Sequence, residues 1–466
     1  MIVTYLGHQG WSVESAMGHV LIDPVFRSIG NAGVQLPIWP DREIDPATLG
    51  LISGIILSHE HSDHFDIETL YRIPWRGTVY VSYRSSRPMI EIIEGMGYSV
   101  TRMTPYQVIE FSGVRITVLP LLWSLLEPDA YGFLIEGDDG TSFFTSVDGM
   151  PHENTVAWLR RNCPKRTADN FTNNYMEPLP ELTGSAGGDL YAAGAITSTM
   201  IHGVEKLEPT RVVLSGQGWS YPPQYSELNH RFFNVTHERM LPILTQVYPH
   251  IRWEAPEPGT RIGLAHESLD GAMAPFVASR STTSRDYDGY TAAAEGRPWS
   301  RITRLSEPEM RRVTDFVRQQ FGQKLNAYAP DLMRQLFSMS TIPENRLLPT
   351  VALRMRDDSG SRHYLLDQGW LEFVPAPKGT DLRRDVAGGV EIWASDLLLL
   401  AEGREEPYLV YETAVRRWSN APAIIGSALH VHMFLPFGPR LQPAEFRRSY
   451  EARLAEVSKP ALLEGG

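Results

Sequence analysis

The chain has 466 residues, of which 42% are hydrophobic and 21% charged, with a net charge of -12. That length predicts two domains, and the acidic balance argues against a general nucleic-acid binder, which needs a basic stripe to neutralise phosphates. The single cysteine, Cys163, excludes an intramolecular disulfide and any cysteine-ligated iron–sulfur cluster built from this chain alone. Met1 to Gly7 reads as a strand and turn rather than the charged and apolar regions of a signal peptide. No run approaches the ~20 apolar residues that cross a bilayer, so a cytoplasmic protein without a membrane partner is expected.

In chain order, Ile2 to Leu6 and His19 to Ile22 read as paired strands joined through Glu14 to Gly18. The apolar run Gly54 to Ser58 leads into His59-Glu60-His61-Ser62-Asp63-His64. Helices are predicted over Ile67 to Ile73, Arg87 to Met96 and His237 to Val247. Strands are predicted over Thr78 to Ser82, Val114 to Leu119, Tyr131 to Ile135, Ser142 to Val147 and Arg211 to Ser215. This alternation predicts an α/β layered fold over residues 1–265. Residues 266–300 read as a linker or long loop, because Ala274 to Ser300 lacks periodicity.

A second, smaller α+β domain is expected over 301–466. Its predicted elements are a helix over Glu307 to Phe337, strands over Thr350 to Met355, Tyr364 to Val374 and Gly389 to Trp393, and a helix over Gln442 to Val457. Ser395 and Asp396 are placed to cap a short helix through Leu400, stopped by Gly403. There is no internal repeat.

Three histidines and an aspartate within six residues, directly after a buried-looking strand, point to a metal site rather than a solvated loop. His59 and His61, two apart, reach the same side in extended backbone. Asp63 and His64 follow as the chain turns, able to serve a second ion or another face of the first. Imidazole suits Zn, Fe, Ni or Cu, and a carboxylate moves preference toward Fe, Zn or Mn.

These residues resemble the metallo-β-lactamase fold, a four-layer αββα sandwich with metal between its sheets. Tyr5-Leu6-Gly7-His8 is similar to the opening of the ascorbate-6-phosphate lactonase-like branch. Leu21-Ile22-Asp23-Pro24 matches the family's first Asp motif, His59-x-His61-x-Asp63-His64 its defining signature, and Ser146-Val147-Asp148 its bridging Asp. The resemblance implies that His59 and His61 serve one metal, Asp63 and His64 another, and that Asp148 joins them.

Two family histidines are missing. The chain has none between His64 and Asp148, where Leu119 to Ser124 stands, and the late strand ends in Leu214-Ser215-Gly216-Gln217-Gly218-Trp219. His152 and His8 are the candidate substitutes, as ligands, as groups behind the ligands or as groups facing the substrate. Stretches near Asp23, Ser58 to Asp66, Ser146 to Gly149 and Asn229 to Phe233 also resemble the CMP-N-acetylneuraminate hydroxylase-like branch, an iron oxygenase group. Gly389 to Arg404 resembles that group's sterol-carrier-protein-like tail.

His59, His61 and Asp148 would form a two-His, one-carboxylate set with open positions on iron. The favoured expectation is therefore a non-haem iron oxidase or oxygenase of a small molecule, holding one or two Fe ions. Its electrons would come from an electron-donor protein or from the substrate. A zinc- or manganese-dependent hydrolase of an ester, lactone or phosphoester is the alternative, with Asp63 and His8 as catalytic groups. A binding protein that kept part of the motif is the third reading. Trp123, Tyr175, Gln217 and Trp219 are candidate substrate contacts. Trp370, Phe373, Trp393 and Trp418 give the C-terminal domain enough aromatic area for a core, a cleft cover or a homodimer contact.

Overall fold

Alternate residues of each early strand point to opposite faces, and here both faces are buried. The computed structural model describes residues 1–29, 36–121, 130–172, 198–221, 236–265, 272–279, 300, 302–321, 348–367, 369, 372–402, 404, 416–419 and 443–459. Contacts divide the chain into two units. The first takes the described residues of Met1–Tyr175, Gly194–Asp288 and Tyr450–Gly466, and the second those of Gly289–Ser449. This division differs from the expected boundaries at 265 and 301 by returning Tyr450 onward to the first unit.

The first strands of unit one are Ile2–Gly7 (β1), Gly10–Ser15 (β2), Gly18–Ile22 (β3), Ser28–Ile29 (β4), Leu36–Pro37 (β5), Arg42–Ile44 (β6) and Ile52–Ile56 (β7). Helix Ile67–Arg72 (α1), Thr78–Ser82 (β8), helix Arg87–Gly95 (α2) and Ser99–Met103 (β9) follow. Then come Val108–Phe111 (β10), Val114–Pro120 (β11), Tyr131–Gly137 (β12), Ser142–Thr145 (β13), helix Glu153–Asn162 (α3) and Ala168–Thr172 (β14). Helix Ser198–Leu207 (α4), Arg211–Ser215 (β15), helix His237–Val247 (α5), Arg252–Glu254 (β16), Arg261–Gly263 (β17) and Val277–Ser279 (β18) complete the run.

Among the described residues these strands build two seven-stranded sheets, ordered β17-β1-β2-β3-β7-β8-β9 and β10-β11-β12-β13-β14-β15-β16. Val3, Tyr5, Trp11, Val13, Ile22 and Ile56 of the first sheet share one core with Val118, Phe133, Ile135 and Phe143 of the second. The two sheets are therefore face to face. The other face of the second sheet, through Leu134, Phe144, Phe171 and Leu214, packs on Val156 and Leu159 of α3, Val204 of α4 and Leu244 of α5. On the first sheet Leu21, Ile55 and Val79 face away from the shared core and are fully buried, as are Leu70, Met89 and Ile93 of α1 and α2. Burial of both faces explains why β7 reads as a continuous apolar run rather than an alternating one.

Several expectations are corrected here. β1 and β3 are not partners: β2 lies between them, antiparallel to each. Glu14 to Gly18 is thus the end of a β2–β3 hairpin rather than a connection from β1. Part of the expected linker is structured, since Val277–Ser279 pairs with Arg42–Ile44.

Unit two has helix Glu307–Asp315 (α6), continued by a π-helical segment Phe316–Phe321; the rest of the expected helix to Phe337 lies outside the described residues. Strands Leu348–Asp357 (β19), Gly360–Leu366 (β20) and Phe373–Pro375 (β21), helix Leu382–Asp385 (α7), strand Val386–Trp393 (β22), helix Ala394–Ala401 (α8) and strand Arg416–Ser419 (β23) follow. The sheet order is β21-β20-β19-β22-β23. The expected strand Tyr364 to Val374 is two antiparallel strands, β20 and β21. Ser395 and Asp396 do not cap α8. They lie inside it, fully packed, and Asp396 accepts a bond from the Ser300 N–H at 2.8 Å. The last helix, Pro443–Val457 (α9), starts in unit two and ends in unit one.

Candidate metal centre

Strand direction decides which side chains meet. β1 and β3 are each antiparallel to β2, so they run the same way, and β7 is parallel to β3. The C-terminal ends of β1, β3 and β7 therefore lie at one sheet edge, and they carry His8, Asp23 and Ser58 to His64 respectively. On the facing sheet, β13, β14 and β15 are mutually parallel. Asp148 follows β13, and Ser215 ends β15. The metal turn is closed by the N–H groups of His64 and Phe65, both donating to His61 O at 3.0 and 2.7 Å. Asp66 then caps α1 by accepting from Glu68 and Thr69 N–H.

Three residues at these edges hold left-handed backbone without being glycine: His8 (φ 50°), Asp23 (φ 43°) and Val147 (φ 49°). Such conformations cost on the order of 1–3 kcal/mol each and persist only where surrounding bonds fix them. Arg42 supplies two of those bonds, donating from Nε to Leu6 O and from Nη2 to Val25 O at 2.6 Å. Gly7, at φ 98°, makes room for it, because a Cβ there would lie 2.5 Å from Arg42 Nε.

Hydrogen bonds assign the imidazole tautomers. Asp23 accepts from Ser58 N at 2.7 Å and from Ser58 Oγ at 2.6 Å. With its one proton committed to Asp23, Ser58 Oγ can only accept from His59 Nδ1, 2.9 Å away. His64 Nδ1 lies 2.9 Å from Asp23 Oδ2 and so donates to it. In the neutral rings, His59 Nε2 and His64 Nε2 are then both left unprotonated. His64 Nε2 stands 2.7 Å from Asp148 Oδ2, and His59 Nε2 3.9 Å from the same oxygen. His59 Nε2 is also 3.0 Å from His61 Nδ1.

Lone pairs facing a carboxylate oxygen require a cation between them, either a proton or a metal. In the ion-free chain a proton serves: burial lowers the His64 pKa, but Asp148, Asp63 and Asp23 outweigh it and raise it well above the usual imidazole value. His59 is shifted the other way, chiefly by burial and then by His64 and His61. Burial of Asp63 favours its neutral form, yet His64 and the bond from His8 hold its carboxyl well below the usual range. Asp63 Oδ1 is buried and meets no hydrogen-bond donor among the described residues. The donor set fits a divalent ion: ligand atoms of His59, His64 and Asp148 lie within 4.8 Å of one another, with His61 Nδ1 3.0 Å from His59 Nε2 and Asp63 Oδ2 3.6 Å from His64 Nε2. An imidazole whose far nitrogen donates to a carboxylate is the usual support for such a ligand.

His8, Asp63 and His64 also bring ligand atoms within 4.8 Å, but His8 is a poor ligand in this arrangement. Gly218 N donates to His8 Nδ1 at 3.1 Å, which leaves the proton on Nε2, 2.8 Å from Asp63 Oδ2. His8 therefore donates to Asp63. It sits against the turn after β15, since Gly216 N donates to His8 O at 2.7 Å.

Of the other predicted residues, His152 is gathered into neither group. It is the N-cap of α3, and its Nδ1 accepts from Asn154 N at 3.1 Å. Trp219 is fully buried and stands edge-on to His8, with ring centroids 6.1 Å apart. Gln217 is buried in the same turn. Trp123 and Tyr175 lie outside the described residues.

Sequence reasoning missed a relay behind Asp148. Gln9 Nε2 donates to Asp148 Oδ1 at 2.9 Å, and Gln9 Oε1 accepts from Ser215 Oγ at 2.8 Å. Asn170 Nδ2 donates to Ser215 Oγ at 2.9 Å and Thr145 Oγ1 to Asn170 Oδ1 at 2.8 Å. No local pattern marks these four residues, because each sits on a different strand or turn.

Residues 19–161 match the family model described as beta-lactamase superfamily domain. That match and the two facing seven-stranded sheets make unit one consistent with the metallo-β-lactamase fold. A protein of Mycolicibacterium smegmatis named as a Rieske 2Fe-2S iron–sulfur protein is 38% identical over 72 residues, 16% of this chain and 14% of that one. A metal-dependent hydrolase of Rhizobium meliloti is 41% identical over 64 residues, 14% of this chain and 24% of that one. The chain thus spans under a quarter of the length of either relative. Among solved structures, the diiron β-hydroxylase CmlA of Streptomyces venezuelae matches at TM-score 0.38 and 16% identity, over 56% of this chain and 53% of that one. An isothiocyanate hydrolase from Delia radicum gut bacteria matches at TM-score 0.39 and 15% identity, over 56% and 99%. At those scores the two structures carry no argument about chemistry. No helix among the described residues is long and apolar enough to cross a membrane.

Proposed function

We propose that this metal-dependent fold serves as a non-haem iron oxidase or oxygenase of a small molecule, with electrons drawn from the substrate or a separate donor protein. The observation that carries the reading is the triad of His59, His64 and Asp148, whose ligand atoms lie within 4.8 Å of one another. Two imidazoles and one carboxylate are the donor set that leaves open positions on ferrous iron. This triad replaces the expected one of His59, His61 and Asp148; His61 stays adjacent as a further donor. Bound iron would supply activation of dioxygen. Asp23 and Ser58 keep His59 and His64 in the metal-binding tautomer, and Gln9 holds the second oxygen of Asp148. His8 holds a proton at Nε2, on Asp63 Oδ2.

The His8–Asp63 pair favours a second reading, a zinc- or manganese-dependent hydrolase of an ester, lactone or phosphoester. A buried pair with a shared proton beside a metal could deliver that proton to a leaving group. The low pKa of Asp63 makes it a weak base, so His8 would be the acid and Asp63 its anchor. Metal analysis of anaerobically purified protein separates the readings. About one or two irons per chain, with an absorbance change in air, is expected for the first. Zinc or manganese without a spectral response would overturn it in favour of the second.

A further inference from the structure

The end of α9 grips the metal turn. Tyr450 and Arg453, three apart, share one face of the helix, and both are buried, at 5% and 4% exposure. Tyr450 OH donates to Glu60 Oε1 at 3.0 Å, and its ring stands edge-on to Phe65 with centroids 5.4 Å apart. Arg453 Nη2 donates to Glu68 Oε2 at 2.6 Å. Glu60 is the residue between His59 and His61, Phe65 directly follows His64, and Glu68 opens α1. The helix therefore touches the turn within its ligand run and again just beyond it.

Glu60 explains why such a grip matters. Its carboxylate is only 8% exposed and also accepts from Ser86 N at 3.1 Å and from Ser86 Oγ. A buried carboxylate that loses a donor either moves toward water or takes up a proton. Its backbone is continuous with both neighbouring histidines, so movement of Glu60 changes the 3.0 Å spacing of His59 Nε2 and His61 Nδ1. We propose that Tyr450 and Arg453 are positioning residues for the metal centre, setting the affinity of the His59–His64 turn for its ion from the far end of the chain. The inference rests on the metal reading of that turn, and not on oxidative chemistry.

Cobalt(II) titration of the full, chelator-stripped chain, followed by visible absorption, tests it. Tyr450→Phe keeps the ring on Phe65 and removes only the hydroxyl; its cobalt affinity should fall about tenfold, with an altered ligand-field band. Arg453→Gln should lower affinity about threefold and Arg453→Lys should recover part of that loss; this pair also serves should Tyr450→Phe not fold. Leu244→Ala, in the core under α5, is the control for lost stability alone and should keep wild-type affinity and spectrum. Wild-type cobalt binding by Tyr450→Phe and Arg453→Gln, or an equal loss in Leu244→Ala, would overturn the proposal. A wild-type chain that binds no cobalt would instead fail the metal reading, and the proposal with it.

Discussion

Two turns at the facing edges of unit one do opposite things with similar means. The turn after β7 carries its donors in one run, His59 to His64. The turn after β15, Ser215 to Trp219, carries no imidazole or carboxylate, yet its Gly216 and Gly218 N–H groups and its Ser215 hydroxyl hold His8 and Gln9. The first turn offers candidate ligands; the second fixes how a neighbour's side chains are bonded. The imidazole that faces the second turn, His8 just after β1, is thus held by hydrogen bonds from that turn and from Asp63. The bond from Gly218 sets its tautomer, since the same imidazole with its proton on Nδ1 could bind a metal through Nε2.

Substitutions break the contrast in graded steps. Asp148→Ala removes the carboxylate that both His64 and His59 face, and the chain should retain no metal through desalting, as read by metal analysis. Next in size is an acid effect on the ligand-free turn. His237, whose Nε2 lies 3.2 Å from Ser215 O, is buried and its pKa is lowered to about 4, mainly by desolvation. Between that value and the ordinary 6.5 the unfolded chain binds the extra proton, so the stability from neutral His237 is complete above pH 6.5 and lost as pH falls toward 4. The loss should reach about 3 kcal/mol, and denaturant titrations of His237→Gln should lack that part of the pH slope.

Asp23→Asn leaves one acceptor oxygen, which cannot take both the Ser58 N–H now on Oδ1 and the Ser58 Oγ and His64 Nδ1 protons now on Oδ2. Metal affinity should fall about 10- to 100-fold while the fold is retained, as read by cobalt competition and circular dichroism. Ser215→Ala cuts the relay to Gln9 and should cost about 1 kcal/mol of stability. The smallest change in affinity is expected for His8→Gln: if His8 donates to Asp63, metal binding stays within about threefold of wild type. A loss as large as that of His64→Gln would make His8 a ligand and erase the contrast between the turns.

The same contrast explains what could be read from sequence. His59, His61, Asp63 and His64 are legible as candidate ligands because three imidazoles and a carboxylate stand in one short run after an apolar strand, and Asp148 because it follows another strand. His8 was legible as a residue but not as a donor, since its tautomer depends on an N–H 210 positions away. Gln9, Ser58, Ser215 and Asn170 gave no signal, being ordinary polar residues that acquire meaning only where two sheets meet. Among the strands, β14 was missed because Ala168-Asp169-Asn170-Phe171-Thr172 looks too polar for a central position. Two of its polar side chains are paired instead: Asp169 with Arg166 at 2.5 Å, and Asn170 with Thr145 and Ser215. The apolar, alternating strands β8, β11 and β15 needed no such partners and were legible.

Diffraction at the absorption edge of the bound metal, from crystals of the loaded protein, tests the central claim most directly. An anomalous peak bonded to His59 Nε2, His64 Nε2 and Asp148, with His8 still on Asp63 and Gly218, is the predicted result. A peak bonded to His8 Nε2, or none among these residues, would contradict it.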